Sequence, residues 1–284
     1  MLNGIDISSW QAGISVADVP SDFVIVKATE GTGYTSPNMA EQADETLSAG
    51  KLLGFYHFAQ TGDAYAEADF FVDTVSGYLP NAALFLDYEA DALNNGSGWA
   101  YSFLARVRER TGQTPGIYMS KSVCRSQDWS TVAAEGFPLW AAQYANNDRM
   151  GYTDTPWTDG YGFGAWSYPT IYQYSSSGDL DGYSGNLDIN LFYGDCDDWQ
   201  SIFQGGNDMQ LNDMIVNDGM IMGGTTYASI GNCIYWAERN AEKALAAVNE
   251  LSDKVDKISV GGASVDYDKL AEVVADKLAA RLKE

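Results

Sequence analysis

The stretch AALFLDYE, residues 82–89, consists of five apolar residues followed by an Asp-Tyr-Glu tripeptide. A short, continuous apolar run of this kind is typical of a parallel strand that is buried on both faces. Residues two apart on an extended strand face the same side, so the carboxylates of Asp87 and Glu89 are expected to point into one space. Such tripeptides are common in surface loops, and it is the position directly after a buried strand that makes this one a candidate catalytic pair.

Seven further strand-like runs accompany this one in the first part of the chain. The eight predicted strands cover residues 4–8, 23–28, 52–58, 83–87, 116–120, 139–144, 170–174 and 187–192. Helical patterns lie between the early strands, at residues 38–49, 64–75 and 98–111, and thin out after Val132. This alternation predicts an α/β fold, a parallel eight-stranded TIM-like barrel with reduced helices, in which loops join the last strands.

The composition excludes several classes of function. The chain has 284 residues, 39 acidic and 16 basic side chains, a formal net charge of -23 and one histidine. This length accommodates one large domain, or one domain with an appendage. Nucleic-acid partners are not expected, because a phosphate backbone needs a basic surface that this chain lacks, and an anionic membrane surface is disfavoured as well.

One histidine and three cysteines, Cys124, Cys196 and Cys233, limit metal and cofactor chemistry. The cysteines are not closely spaced, so neither a four-cysteine nor a mixed cysteine-histidine zinc site is predicted. The sequence has no EF-hand loop and no phosphate-binding glycine motif. We therefore expect no metal and no cofactor, and we assign proton transfer mainly to carboxylates.

The compartment is predicted from the N-terminal residues and from the cysteine count. The sequence MLNGIDISSW has neither the basic nor the apolar region of a signal peptide, and no apolar run approaches the roughly 20 residues that a membrane span needs. The low, odd number of cysteines indicates no disulfide framework. We expect a protein made in the cytoplasm, which needs another exit route to act outside the cell.

Two more acids occupy positions that match those of Asp87 and Glu89. Asp6 lies on the first predicted strand and Asp188 on the last, and these two strands are neighbours in a closed barrel. Four carboxylates could therefore gather at one mouth, where crowding raises the pKa of at least one of them. Glycosidic bond cleavage needs such a protonated acid together with a nearby negative charge. A divalent metal held by the same carboxylates is the alternative, although no metal-binding motif supports it.

Aromatic side chains near the predicted strand ends strengthen the interpretation as a sugar site. Flat apolar rings with polar tips can line a groove for sugar faces. The set comprises Trp10, Tyr34, Tyr56, Phe58, Tyr118, Trp140, Tyr144 and Tyr174. His57 lies beside Tyr56 on a buried strand, a position that favours a structural or supporting role over that of a catalytic base.

The composition changes near residue 205, which divides the chain into a barrel at 1–204, a linker at 205–232 and a helical tail at 233–284. A 3,4 spacing of apolar residues predicts a coiled coil or helical bundle, with an amphipathic helix packed on the barrel as the alternative. The residues in this spacing are Ile234, Ala237, Ala241, Ala244, Val248, Leu251, Val255 and Ile258. A second helix is predicted over residues 267–282, and both pairing within the chain and self-association fit this pattern.

Eight segments resemble, in order, the motifs of glycoside hydrolase family 25. They are GIDISSWQ (4–11), VKATEGTGY (26–34), GFYHF (54–58), LDYE (86–89), GIY (116–118), LWAAQY (139–144), YQYS (172–175) and LDINLF (187–192). These Chalaropsis-type lysozymes cleave the β-1,4 bond between N-acetylmuramic acid and N-acetylglucosamine in peptidoglycan. The resemblance implies a flattened eight-stranded barrel with few helices and peptidoglycan as the substrate.

The resemblance also implies roles for individual residues. Glu89 matches the general acid that later acts as a base, and Asp87 its partner, which orients the substrate N-acetyl group or stabilises charge. Asp6 and Asp188 match the two further acids of the family's active site. Of the possible routes, we favour attack by the substrate's own acetamido group over an enzyme nucleophile or inversion. With Trp10 from the aromatic set, the predicted substrate-binding residues are Lys27, Glu30, Tyr34, Tyr56, Tyr118 and Trp140.

The tail shows no wall-binding repeats of the kind that members of this family often carry. A chain with this tail and no signal peptide looks like a phage endolysin, which lyses the host at the end of infection after holin-type release from the cytoplasm. A bacterial autolysin and a non-catalytic cell-wall-binding protein on a degenerate barrel are the alternatives. The tail could bind wall polymer or assemble copies of the chain, and the regular spacing favours a homo-oligomer.

Overall fold

Eight β-strands close into a barrel in the computed structural model, which describes residues 1–204. Around the barrel the strands follow the order β1-β9-β8-β7-β6-β5-β4-β2, and β2 pairs with β1 to close the ring. A two-residue strand, β3, adds a hairpin to β2. The strands are β1 Leu2–Ile7, β2 Phe23–Glu30, β3 Tyr34–Thr35, β4 Leu52–Phe58, β5 Ala82–Asp87, β6 Gly116–Ser120, β7 Leu139–Ala142, β8 Ile171–Gly178 and β9 Leu187–Phe192. The prediction of an eight-stranded barrel is confirmed.

Six α-helices are present in residues 1–204, and the long ones lie early in the chain, as predicted. Their bounds are α1 Met39–Ser48, α2 Ala64–Val75, α3 Ser97–Thr111, α4 Lys121–Ser126, α5 Ser130–Ala134 and α6 Cys196–Phe203. Asp63 caps the start of α2 by accepting from the Ala66 backbone N–H at 2.9 Å, and α3 ends at Gly112 with a left-handed φ of 70°. Residues 143–170, between β7 and β8, contain no helix, so the barrel is one with reduced helices.

The last strand, β9, runs antiparallel to both of its neighbours, and the prediction of an all-parallel barrel is wrong at this point. Residues 179–186 alone connect β8 to β9, whereas a crossover between parallel strands needs about a dozen residues or more. The connection can therefore make only a hairpin. As a consequence, the N-terminal end of β9 lies at the same mouth as the C-terminal ends of the other barrel strands.

The opposite end of the barrel is filled by aromatic rings and closed by α6. Trp199 and Phe203 of this helix pack on strand residues that face the barrel interior. The ring centroid of Trp199 lies 5.0 Å from that of Phe23 and 5.3 Å from that of Phe192, and Phe203 lies 4.9 Å from Phe85. This plug leaves only the mouth at the C-terminal ends of the strands open to a ligand.

The loop at residues 143–170 covers the barrel where a helix would otherwise pack, and an ion pair between the buried Lys121 and the partly exposed Asp159 holds it there. Lys121 is 1% exposed and donates to Asp159 Oδ1 at 2.6 Å, with its ammonium 4.4 Å from the centre of the Phe163 ring. Gln143 Oε1 accepts from the Asp159 backbone N–H at 3.2 Å. These contacts fix a segment that has no helical hydrogen bonds of its own.

The linker at 205–232 and the helical tail at 233–284 lie outside the described residues, and the domain boundary near residue 205 stays a prediction. The coiled coil and the homo-oligomer remain predictions for the same reason. Within residues 1–204 the structure contains no helix of the length and apolar character that a membrane crossing requires.

Replacing Lys121 by Met is expected to lower the free energy of unfolding by about 2–3 kcal/mol, because it leaves Asp159 without its buried partner. Urea unfolding followed by circular dichroism measures this loss. Arg125 is the matched control, since it reaches Asp159 Oδ2 from a more exposed position at 3.4 Å. Arg125→Met should cost less than about 1 kcal/mol. Equal losses in the two variants would mean that burial of Lys121 is not what holds the loop.

Candidate active site

Four carboxylates line one cavity at the open mouth of the barrel. Asp6 of β1 is the register partner of Asp188 of β9, and Asp87 is the last residue of β5, with Glu89 two positions further on. Asp6 and Asp188 meet at this mouth because β9 is antiparallel; a parallel β9 would carry Asp188 to the other end of the barrel. The cavity has a volume of about 260 Å³ and is also lined by Tyr56, Tyr118, Trp140, Tyr144 and Gln173.

The turn that follows β5 is anchored on the outside of the barrel. Tyr88 is fully buried between the two acids of the tripeptide, and its hydroxyl donates to the Gly96 carbonyl at 2.9 Å. Ala90 has a φ of 51° and is the one non-glycine residue with a positive φ in residues 1–204. This conformation costs about 1–2 kcal/mol for a residue with a Cβ. Such strain is typical of functional sites, where the surrounding structure holds the chain in place.

Two amide side chains hold Asp6 in the cavity wall. Gln173 Nε2 donates to Asp6 Oδ2 at 2.7 Å, and Asn190 Nδ2 donates to the same oxygen at 2.8 Å. Burial raises the pKa of Asp6 to about 6, while these two hydrogen bonds favour its charged form and the charge of Glu89 disfavours it. Asp6 is therefore the acid of the cavity that the protein equips to carry a negative charge near neutral pH.

The other three acids also hold their protons more tightly than in water. Burial, and then the charges of Asp6 and Glu89, raise the pKa of Asp188 to about 8. Burial followed by repulsion from Glu89 raises the pKa of Asp87 well above its usual value, and within the described part of the chain the buried Asp87 Oδ1 has no hydrogen-bond partner. Burial also raises the pKa of Glu89, against the opposing effect of the Lys27 ammonium. The cavity can thus present a proton donor and an anion at the same pH.

Sequence reasoning missed Gln173 and Asn190, the two amides that bind Asp6. The orientation of each amide follows from its other partners: Tyr118 OH donates to Gln173 Oε1 at 3.0 Å, and Trp140 Nε1 donates to Asn190 Oδ1 at 2.8 Å. Tyr144 OH also donates to Gln173 Oε1. A signal was available, because each amide is a polar residue inside an apolar strand run.

The predicted substrate-binding residues differ in their position relative to the cavity: three line it, three lie beside it, and one stands apart. Tyr56, Tyr118 and Trp140 line the cavity. Lys27, Glu30 and Tyr34 form a group beside the cavity, in which Lys27 contacts the other two residues. Trp10 follows β1 on a short 3-10 helix, is 88% exposed and does not line the cavity.

The group beside the cavity is centred on the Lys27 ammonium. Lys27 Nζ donates to Glu30 Oε2 at 2.7 Å and lies 4.6 Å from the centre of the Phe58 ring and 5.5 Å from that of Tyr34. Its charge lowers the pKa of both Asp87 and Glu89, against the effect of burial. Lys27 therefore acts on the acids electrostatically.

His57 faces away from the cavity. It follows Tyr56 on β4, so its side chain points to the outside of the barrel, where it is fully buried. Its ring lies 4.9 Å from that of Phe103 and 5.7 Å from that of Phe71. This placement agrees with a structural or supporting role, and it leaves carboxylates as the proton-transfer groups of the cavity.

The alternative of a metal site gains nothing from this geometry. Residues 1–204 contain no group of three or more His, Cys, Asp or Glu side chains arranged so that they could hold a metal ion. Amides bind Asp6, the Lys27 ammonium opposes the effect of burial on Asp87 and Glu89, and Asp188 faces the charges of Asp6 and Glu89. This arrangement suits proton transfer and the stabilisation of a developing positive charge.

Comparison with known proteins identifies relatives over most of the barrel. A sequence model of the family described as "Glycosyl hydrolases family 25" matches residues 5–183. The chain is 31% identical over 214 residues to "Lysozyme M1" of Streptomyces globisporus, covering 68% of each protein. It is 28% identical over 228 residues to the "N,O-diacetylmuramidase" of Chalaropsis sp, covering 72% of this chain and 100% of that protein. The crystal structure of the bacterial lysozyme from Streptomyces coelicolor matches with a TM-score of 0.58 at 26% identity, covering 72% of this chain and 97% of that one.

Replacing Asp188 by Asn is expected to flatten the dependence of stability on pH between about pH 4 and pH 8. Because the pKa of Asp188 is raised to about 8 in the folded protein, its contribution to stability is complete below the unfolded pKa and is lost as the pH rises through the folded one. The Asn variant has no proton to lose, so at pH 8 it should be more stable than the native protein by several kcal/mol, since each pH unit of the shift is worth about 1.4 kcal/mol. Urea unfolding at a series of pH values measures the difference.

The control for this prediction is Asp181→Asn, which removes the same charge from an exposed position in the loop between β8 and β9. Its stability curve should keep the slope of the native protein. If both variants flatten the curve equally, the slope reports net charge and not the burial of Asp188.

Proposed function

Because the chain belongs to glycosyl hydrolase family 25, we propose that it is an N-acetylmuramidase that hydrolyses peptidoglycan. The barrel is a glycoside hydrolase, and the bond it cleaves is the β-1,4 linkage between N-acetylmuramic acid and N-acetylglucosamine. The observation that carries this proposal is the gathering of four carboxylates in one cavity at the open mouth of the barrel. A raised pKa keeps a proton on Glu89, and the two amides that bind Asp6 favour its charged form, so the cavity has both the proton and the negative charge that glycosidic cleavage needs.

Glu89 is the general acid in this proposal. Burial raises its pKa, so it retains a proton that it can deliver to the glycosidic oxygen as the bond to the anomeric carbon breaks. In the second half of the reaction its carboxylate takes a proton from the attacking water. The left-handed conformation of Ala90 and the hydrogen bond of Tyr88 to Gly96 fix the backbone on either side of Glu89.

Asp87 orients the acetamido group of the substrate. Its buried Oδ1 has no hydrogen-bond partner among residues 1–204, and an acetamido N–H is a donor that would satisfy it. With the N–H held there, the acetamido carbonyl oxygen can bond to the anomeric carbon as the leaving group departs. Water then reopens the resulting ring, which regenerates the acetamido group and completes the substrate-assisted route.

Asp6 supports the positive charge that develops on the sugar ring, because Gln173 and Asn190 stabilise its ionised form. Asp188 lies beside it as the second acid of this wall of the cavity. The rings of Tyr56, Tyr118 and Trp140 contact the faces of the sugar in the cavity. Trp10 and Tyr34 are exposed near strand ends at this mouth and extend the surface along which the glycan lies.

The biological role that we propose is that of a phage endolysin, made in the host cytoplasm and reaching the wall after holin-type release. Residues 1–204 form the catalytic barrel, 205–232 the linker and 233–284 an assembly module. The support for assembly is the unbroken 3,4 spacing of apolar residues from Ile234 to Ile258. Association of several copies raises the effective concentration of weak wall contacts.

Glu89→Gln is expected to reduce the release of reducing ends from purified peptidoglycan by at least about 100-fold, because the variant cannot donate the proton. Its melting temperature should stay close to that of the native protein. Glu41→Gln, an exposed change of the same kind in α1, serves as the control and should keep full activity.

Mass spectrometry of the digest identifies the bond cleaved and the sugar that carries the new reducing end. Retention of activity by Glu89→Gln would contradict the role assigned to this residue. Binding of the native protein to cell walls without any turnover would instead support a non-catalytic wall-binding protein.

The tail is tested by light scattering on the full chain and on a variant with Glu in place of Val248 and Leu251, two residues of the apolar spacing. We expect a homo-oligomer for the full chain and a monomer for the variant, because charges in an apolar seam oppose association. The activity on a soluble peptidoglycan fragment should be the same for both. A monomeric full chain would contradict the assembly proposal.

A further inference from the structure

The segment that connects β4 to α2, residues 59–63, makes hydrogen bonds both to the end of β5 and the turn after it and to Glu30 of β2. The Ala59 backbone N–H donates to the Asp87 carbonyl at 3.0 Å. The Gln60 carbonyl accepts from Asn95 Nδ2, on the turn that follows Glu89, at 2.9 Å. On the other side, Gln60 Nε2 donates to Glu30 Oε1 at 3.0 Å. The position of Gln60 therefore links the Glu89 turn to the carboxylate that holds Lys27.

Glu67 of α2 fixes this segment from within the helix layer. The side chain is 1% exposed, and Glu67 Oε2 accepts from the Gln60 backbone N–H at 2.9 Å and lies 3.0 Å from His57 Nε2. Glu67 Oε1 accepts from the Gly62 backbone N–H at 3.0 Å. A carboxylate is suited to this position, because it has only acceptor sites and faces donors at both oxygens.

His57 completes the arrangement as a neutral imidazole. Its Nε2 faces the Glu67 carboxylate, which can only accept, so this nitrogen carries the proton. Its Nδ1 lies 2.8 Å from Thr29 Oγ1 and accepts from that hydroxyl. Burial lowers the pKa of His57, although Glu67 opposes this effect, and both ring nitrogens are satisfied without a charge. The imidazole thus ties Glu67 to β2, next to the bulge between Lys27 and Thr29.

We propose that Glu67, locked in place by His57, is a positioning residue for the cavity: it holds Gln60, Gln60 holds Glu30, and Glu30 holds the Lys27 ammonium beside the acids. The proposal rests on the function proposed above, since it concerns how the same cavity is prepared for proton transfer. Neither Glu67 nor His57 lines the cavity, so both act through other residues.

The consequence of this arrangement is electrostatic. The Lys27 ammonium lowers the pKa of Asp87 and Glu89, which burial raises, so displacement of Lys27 would raise the pKa of both acids. The other titratable groups that face these two acids are Asp6, Asp188, Tyr56, Tyr118 and Tyr144, and the side chains of Gln60 and Glu67 bond to none of these five. A raised pKa of Glu89, the general acid, moves the basic limb of the pH–activity profile to higher pH. A raised pKa of its partner Asp87 moves the acidic limb to higher pH as well.

Glu67→Gln tests the proposal. The Gln side chain has an NH₂ group in place of one carboxylate oxygen, so either the Gln60 or the Gly62 backbone N–H loses its acceptor. We expect kcat on peptidoglycan to fall several-fold and both limbs of the kcat/KM profile to move to higher pH by about half a pH unit or more. Lys27→Met should produce the same direction of change. The two changes together should add little to either one alone, since they act through the same ammonium.

Gln113→Leu is the control for lost stability. Gln113 is 1% exposed and donates to the carbonyls of Pro80 and Ala82 at 3.1 and 3.0 Å, at the opposite end of β5 from the acids. This variant should lower the melting temperature as Glu67→Gln does, while its pH profile stays in place. A Glu67→Gln profile that coincides with that of the native protein would mean that Glu67 has a structural role only.

A second measurement separates this proposal from the proposed function. Carbon-13 NMR titration of the side-chain carboxyl groups reports the pKa values of Asp87 and Glu89 in the native protein and in Glu67→Gln without any substrate. Higher values for both acids in the variant support the positioning role even if the native protein has no activity on peptidoglycan. Unchanged values overturn it, whatever the activity assay shows.

Discussion

The antiparallel pairing of β9 with β1 and β8 is the constraint on which the cavity depends. It closes the barrel and reverses the last strand, so that Asp188 lies opposite Asp6 at the open mouth. The cause is the length of a connection, since residues 179–186 can form a hairpin but not a crossover. The reversal also directs the C-terminal end of β9 toward the far end of the barrel, where α6 follows and closes it.

Four carboxylates in one small cavity create an electrostatic problem that the surrounding residues solve in different ways. Amides from β8 and β9 stabilise Asp6 as an anion, and the Lys27 ammonium opposes the effect of burial on Asp87 and Glu89. Protonation relieves the remaining repulsion, as the raised pKa of Asp188 indicates. Sites of this kind cost stability, and the cost is the physical basis of the proton donor that glycosidic cleavage requires.

Continuous apolar runs and helical periodicity predicted the eight strands and the three long helices, because burial on two faces and burial on one face leave different patterns. The loss of helical patterning after Val132 also predicted that loops join the last strands. How the loop at residues 143–170 packs was not predictable in this way, since it depends on an ion pair to the buried Lys121 and on hydrogen bonds between side chains and backbone. The sequence also did not predict that Gln173 and Asn190 bind Asp6. Their shared partner, Asp6, lies 167 and 184 residues away in the sequence, and no local pattern records such a pairing.

The sequence by itself determined which segments become buried strands, and it placed Asp6, Asp87, Glu89 and Asp188 on or next to the ends of three of them. It did so because apolar runs and the two-residue period of a strand are local properties. Only the tertiary structure decided the direction of β9, the hydrogen bonds of the two amides to Asp6, and the series of hydrogen bonds from Glu67 through Gln60 and Glu30 to Lys27. Each of these depends on how the barrel closes, and closure brings together side chains that no spacing along the chain connects.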